Sequence, residues 1–242
     1  MSVFELPGCG RALFSDRWHG NMSSVGGDGA QAGVRARVAL RERCGVQALV
    51  RGYQVHGTLV GRIDADGARR GTPGAAEDLD DVRTLPDGAS QPTFRADGHA
   101  SAATGVAAMV LAADCLPVVL GAQDAVAALH AGWRGLAAGV LEEGVQALRD
   151  VGGQGEIVAV LGPCAGACCY EVGEEVHAAF GGAHRHGRLI DLRAIAAERL
   201  AAAGVSEVRG GVEACTICDE RFFSYRREGE RAGRQAAVAW LE

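Results

Sequence analysis

Ala125-Val126-Ala127-Ala128-Leu129-His130-Ala131-Gly132-Trp133-Arg134-Gly135 is the stretch on which the reading of the fold turns. Its first five residues are a continuous apolar run, the pattern of a strand buried on both faces. Two glycines then bend the chain into Leu136 to Val151, where apolar residues recur at helical spacing. The unit is strand, turn and helix. Toward the N-terminus, Gly105 to Ala113 and Val118 to Leu120 are two more uninterrupted apolar runs, with Cys115 between them. Toward the C-terminus, Ile157 to Leu161 reads as a strand leading into a loop over Gly162 to Gly173. An amphipathic segment from Glu174 to Phe180 follows, then a helix over Asp191 to Ala203 stopped by Gly204, and a short strand over Glu207 to Ala214.

The N-terminal part reads as strand and turn up to Ser24, then as a helix from Gly33 to Cys44. Val46 to Val50 and Gln54 to Ile63 are short β-rich runs, the second carrying His56 at a bend beside Gly57. Between Asp64 and Asp97 the chain turns polar and is punctuated by glycine and proline, the signature of a surface excursion rather than a linker. Strands and helices alternate without a strict βαβ rhythm, which predicts one mixed-sheet α+β domain over residues 1–242. A chain of 242 residues with 48% hydrophobic and 22% charged residues is long enough for a large core. With 5% aromatics and 36 glycines, that core must be mostly Ala, Val and Leu with many tight turns.

The formal charge of −6 sets 30 acids against 24 bases, all arginine, and argues against a general nucleic-acid or anionic-membrane binder. No stretch approaches the length of a membrane span, and the opening Met1-Ser2-Val3-Phe4-Glu5-Leu6-Pro7 lacks the regions of a signal peptide, so we expect a cytoplasmic protein. Its eight cysteines are then expected as reduced thiols rather than as a disulfide framework.

Three short segments each offer one metal donor at what reads as a strand end: His56, Cys115 and His130. Two imidazoles and one thiolate suit a catalytic zinc, because three protein ligands leave the fourth tetrahedral position for water or substrate. Singly, His56 reads more readily as a hydrogen-bonded core histidine than as a ligand, and Cys115 as a small buried apolar group. His130 is the strongest, ending a buried strand at a turn whose glycines allow close backbone approach, with a helix N-terminus beside it for an anion. Arg134 presents a planar fork suited to phosphate or to a salt bridge. In Phe222-Phe223-Ser224-Tyr225-Arg226-Arg227 the aromatics fit either a core or a surface that stacks on a base. Cys215-Thr216-Ile217-Cys218 is a C-x-x-C that Cys164, Cys168 and Cys169 could join in a structural zinc site.

Taken in order, Asn21-Met22-Ser23, Gln54-Val55-His56-Gly57, Ala113-Asp114-Cys115-Leu116-Pro117-Val118, His130-Ala131-Gly132-Trp133-Arg134-Gly135, Gly162-Pro163, Cys168-Cys169-Tyr170-Glu171-Val172-Gly173, Cys215-Thr216 and Phe222-Phe223-Ser224-Tyr225-Arg226-Arg227 resemble the laccase-domain (YfiH-type) purine nucleoside phosphorylase family. The resemblance implies an α/β/β/α sandwich of the YfiH or cytotoxic-necrotizing-factor type, with His56, Cys115 and His130 holding one zinc ion per chain as catalytic residues. It also implies Arg134 and Ser23 as phosphate or substrate contacts, and a monomer or homodimer acting on purine nucleosides and phosphate. Family members cleave adenosine, inosine and S-methyl-5′-thioadenosine with phosphate and deaminate adenosine. The chain departs from the family in having Ala112 in place of the usual Thr, and in its Gly-rich stretch from Gly26 to Gly29. Neither departure touches an expected ligand.

An alternative within the same resemblance is a cysteine hydrolase that edits peptidoglycan precursors, with Cys115 as nucleophile, His130 or His56 as base and Asp114 as orienter. A zinc-stabilised interaction domain is disfavoured, because a structural site calls for a fourth protein ligand. The older polyphenol-oxidase label needs more histidine ligands than a chain with seven histidines supplies in three motifs.

Overall fold

The computed structural model describes residues 3–24, 30–70 and 94–242. The Gly26 to Gly29 run, and most of the polar stretch expected as a surface excursion, lie outside them. One sheet has the order β1-β2-β14-β7-β3, formed by β1 (Val3–Glu5), β2 (Gly10–Phe14), β14 (Gln235–Leu241), β7 (Val106–Ala112) and β3 (Ala48–Val50). A second has the order β13-β10-β8-β9-β6-β4-β5, formed by β13 (Glu207–Gly210), β10 (Val158–Leu161), β8 (Leu116–Ala122), β9 (Ala125–Ala131), β6 (Gly98–Ser101), β4 (Val60–Ile63) and β5 (Arg69–Arg70). A two-stranded ribbon, β11 (Arg185–His186) with β12 (Leu189–Ile190), stands apart.

Alternation along the strands builds the layers. In β7, Ala107 and Met109 face α1 (Ala30–Cys44) and pack with Leu40 and Cys44, together with Val238 and Trp240 of β14. Ala108 and Val110 face the other way and meet Val119, Val126, Ala128 and Val160 of the second sheet. The far face of that sheet carries Leu116, Val118, Leu120 and Leu129 against α2 (Trp133–Ala138), α3 (Val140–Asp150) and α4 (Leu192–Ala202). The arrangement is helix, sheet, sheet, helix, as expected from the sequence. Its central layer is filled mostly by Ala, Val and Leu side chains.

Two elements differ from the sequence reading. The helix expected from Leu136 to Val151 begins at Trp133 and is broken at Gly139, which takes a φ of 104°, open to glycine at little cost. The run from Gln54 to Ile63 becomes a strand only from Val60, because the backbone of residues 55–57 is bonded to a side chain instead of to a neighbouring strand.

Register is what positions the site. The β8–β9 hairpin pairs Leu116 with Ala131 and Pro117 with His130; β9 pairs antiparallel with β6, and β6 pairs parallel with β4. Four neighbouring strands therefore bring Cys115, His130, Asp97 and His56 to one end of the sheet.

Candidate metal centre

The donor atoms of His56, Cys115 and His130 all lie within 4.8 Å of one another. His56 Nε2 is 3.6 Å from Cys115 Sγ, and the two imidazole rings stand edge to face with centroids 4.9 Å apart. A tetrahedral zinc with ordinary Zn–N and Zn–S bonds would separate such a nitrogen and sulfur by about 3.6 Å. The donor set and its spacing fit one ion with an open position.

Asp97, which the sequence reading missed, organises this cluster. Its fully buried carboxylate accepts from the backbone N–H groups of Val55, His56 and Gly57 at 2.8 to 3.1 Å, and from His130 Nδ1 at 2.8 Å. The three backbone bonds hold His56 in the left-handed conformation, φ 60°, which a non-glycine residue keeps only under such constraint. The bond to Nδ1 fixes the His130 tautomer and leaves Nε2 for a metal. Burial opposes ionisation of Asp97, but the bond and charge of His130 and the backbone N–H groups outweigh it and hold the carboxyl below its ordinary range. Burial likewise resists charge on Cys115 and His130; His130 first and His56 second bring the thiol down to about 6, while Cys115 and Asp97 raise the His130 imidazole to about 9. The sequence carries little signal for Asp97, because the strand it precedes, Gly98-His99-Ala100-Ser101, is short and is not an apolar run.

The glycines of the His130 turn act differently from expectation. A Cβ on Gly132 would stand 2.5 Å from His56 Cδ2 and 3.1 Å from Cys115 Sγ, and one on Gly135 would stand 2.7 Å from the Gly57 carbonyl oxygen. They let the His56 loop and Cys115 pack closely against the turn. The helix N-terminus expected beside His130 is that of α2, only six residues long before the break at Gly139.

Asp114 does not orient a histidine. It sits at φ 89° and accepts from Thr216 Oγ1 at 2.6 Å and from the Arg226 backbone N–H at 2.7 Å, so it ties the Cys115 strand end to the C-terminal segments. Gln54 pairs its side-chain amide with both backbone groups of Leu111, and Asn21 Oδ1 accepts from the N–H groups of Ser23 and Arg234. These bonds explain why short motifs so distant in sequence belong to one site.

The cluster forms part of the wall of a cleft of about 510 Å³ that also takes in Ser23, Arg51, Tyr53, Trp133, Arg134, Tyr170, Tyr225, Arg226 and Arg234. Ser23 and Arg134 both line this cleft, Arg134 stacked 4.3 Å over Trp133. Arg51 is buried, and its Nη2 has no hydrogen-bond partner among the described residues. Burial first, and Arg37 second, lower its pKa to about 10. Phe222 and Phe223 are core residues, leaving Tyr53, Trp133, Tyr170 and Tyr225 as the aromatic edge. Arg227 is occupied by the carbonyls of Thr216, Ile217 and Phe222 and does not reach the cleft.

A stacked pair of mixed sheets carries a histidine, cysteine and histidine cluster that could hold a metal ion, at the wall of an arginine-lined cleft of the size of a small-molecule site. Over residues 12–242 the chain matches the family described as multi-copper polyphenol oxidoreductase laccase, and it belongs to that family. It is 39% identical over 256 residues to a purine nucleoside phosphorylase of Xylella fastidiosa, covering 97% of this chain and 88% of that one. It is also 44% identical over 160 residues to the purine nucleoside phosphorylase YfiH of Escherichia coli, covering 61% and 64% of the two chains. Among solved structures it is similar to a Neisseria meningitidis protein of the DUF152 family, with TM-score 0.77, 29% identity, and 100% and 98% of the two chains covered. YlmD of Geobacillus stearothermophilus matches with TM-score 0.74 and 25% identity over 96% and 91% of the two chains. No helix among the described residues is long and apolar enough to cross a membrane.

Proposed function

We propose that this chain is a zinc-dependent purine nucleoside phosphorylase that also deaminates adenosine, with His56, Cys115 and His130 holding the ion. The observation that carries the reading is the convergence of three donors and a buried Asp97 at the wall of a cleft whose volume lies within the roughly 300–1,000 Å³ of small-molecule sites. The names of the relatives supply the substrate class. When bound, zinc would supply Lewis acidity and lower the pKa of water.

In phosphorolysis a phosphate oxygen attacks C1′ of the ribose, the bond to purine N9 breaks with its electron pair, and the base leaves with a proton. In deamination water adds at C6 and ammonia leaves. Arg51 and Arg134 supply the cation for phosphate; Arg51 is better placed because it is buried with an unfilled donor. Tyr170 and Tyr225 offer faces for the purine, and Asp97 keeps His130 in one tautomer. Chromatography of adenosine incubations tests the reading: adenine should require phosphate, while inosine should form without it. Arg51→Met should weaken the phosphate interaction roughly tenfold to hundredfold, the loss of one charged hydrogen bond, and spare deamination. Full turnover by protein stripped of metal would overturn the proposal.

One observation favours a second reading. Without metal, Cys115 and His130 are a thiolate and imidazolium pair with Asp97 behind the histidine. That is the arrangement of a cysteine hydrolase, here with Asp97 as orienter where Asp114 was expected. The thiolate would attack a carbonyl carbon, His130 would protonate the leaving amine, and water would release the acyl group, as in removal of a misplaced amino acid from a peptidoglycan precursor. A metal-free enzyme that forms a thioester on Cys115 would establish it.

A further inference from the structure

The loop from Gly162 to Gly173 and the turn after β13 bring together four thiols that the proposed reaction does not use. The sulfur atoms of Cys168, Cys169, Cys215 and Cys218 all lie within 4.8 Å of one another. Cys168 Sγ and Cys218 Sγ are 3.8 Å apart, and all four are free thiols. Four thiolates around one zinc, each at about 2.3 Å, stand about 3.8 Å from one another along the edges of the tetrahedron. A disulfide needs its sulfurs at roughly 2 Å. A four-iron cubane places each thiolate on a different iron and so holds the sulfurs farther apart than these.

The backbone is shaped for the same purpose. Cys164 and Cys215 form a parallel bridge that aligns the two segments, with the Thr216 N–H donating to the Cys164 carbonyl at 2.9 Å. The Asp219 N–H donates to the Cys215 carbonyl at 2.9 Å, which curls the C-x-x-C into a tight turn. Gly166 donates its N–H to Cys215 Sγ at 3.2 Å, and a Cβ there would stand 3.0 Å from Cys215 Cβ and 3.5 Å from the Cys168 and Cys215 sulfurs. A bond from backbone N–H to sulfur stabilises the thiolate form that binds metal. Cys164, which the sequence offered as a further member, lies outside: it is fully buried, and burial above all pushes its thiol up to about 12.

We propose that Cys168, Cys169, Cys215 and Cys218 form a second metal site, a closed tetrathiolate that takes a structural zinc ion. The metal content expected per chain rises from one to two. With no ligand position left open, this ion has no part in the chemistry; its place in the fold gives it a mechanical role. Thr216, inside the C-x-x-C, donates to Asp114, which holds the strand end carrying Cys115. Tyr170 follows Cys169 directly and lies 4.9 Å from the Arg226 guanidinium. One ion would thus pin the cleft wall formed by Tyr170 and Arg226 to the base of the catalytic cluster.

The test uses the full-length Cys115→Ala protein, which removes a ligand from the catalytic cluster and leaves the four thiols intact. After zinc reconstitution and dialysis it should retain one zinc per chain. Its cobalt(II) form should show the intense sulfur-to-metal charge transfer of a tetrahedral thiolate site, and X-ray absorption should report four sulfur neighbours. Adding Cys218→Ser should abolish that spectrum, and circular dichroism checks that the double variant is folded. If the double variant fails to fold, the sulfur count on Cys115→Ala alone decides the matter. Absence of bound metal in folded Cys115→Ala, a coordination shell containing nitrogen, or disulfides among these four cysteines in freshly purified protein would overturn the proposal.

Discussion

The two donor clusters differ in what surrounds them. His56, Cys115 and His130 mix two donor types, stand beside a cleft, and are fixed by one buried carboxylate that belongs to the sheet. The four cysteines offer one donor type, come in two pairs from loops, and take their shape from backbone N–H groups and a glycine. An open mixed-ligand set keeps a coordination position for substrate chemistry, whereas a saturated sulfur set exchanges that reactivity for rigidity. The contrast can be broken by showing that either cluster behaves like the other.

The largest effect should follow removal of a ligand from the open cluster. His130→Ala is expected to lose that metal and nearly all turnover while keeping its fold and the tetrathiolate ion, measured by metal analysis beside steady-state rates. Retention of both metals would erase the distinction.

Next is Asp97→Asn, which keeps the shape but not the charge that orients His130. Metal affinity or activity should fall by roughly 10- to 100-fold, with competition against a chelator as the measurement. The pH dependence has a definite sign. Because the folded carboxyl titrates below its unfolded value of about 3.8, Asp97 stabilises the native state fully above that pH, and the contribution disappears as pH falls through the lower native value. Denaturation curves of wild type and Asp97→Asn should therefore diverge at neutral pH and converge in strong acid.

Gly132→Ala should act more modestly, since the new methyl group drives into the His56 ring and the Cys115 sulfur. Overpacking of this kind costs about 1–3 kcal/mol, read as a lower midpoint in urea, and should weaken only the open cluster. The smallest change belongs to Arg134→Ala: Arg134 is exposed, so its loss should alter the adenine-to-inosine ratio only a few-fold, less than the loss of Arg51.

Much of this site was legible in the sequence because its donors interrupt apolar strands. His130 after Ala125 to Leu129, and Cys115 between two apolar runs, stand out as polar groups that burial would penalise without a partner. The layered fold was legible for a related reason, since uninterrupted apolar runs leave no polar face for solvent. Asp97 and Arg51 were not, because their significance lies in three dimensions. One becomes central only when the His56 loop folds over it, and the other only when its neighbours leave an Nη2 unfilled. The role of Gly132 was misread because a sequence shows that space is needed but not which atoms fill it. The four-cysteine arrangement depends on a loop-to-loop bridge at Cys164 and Cys215 that no periodicity announces.

The pairing of Pro117 with His130 across the β8–β9 hairpin has a further consequence, for the order of events in biogenesis. Because a slip of one residue turns every side chain to the opposite face, His130 meets Cys115 only when the hairpin has closed in its native register. Asp97 and His56 arrive only when β6 and β4 have joined the same sheet. The nascent chain therefore carries scattered donors of ordinary affinity until late in folding. On the proposed reading, acquisition of an ion at the open cluster would act as a proofreading step, because a chain that zips its central sheet incorrectly would not assemble the donors.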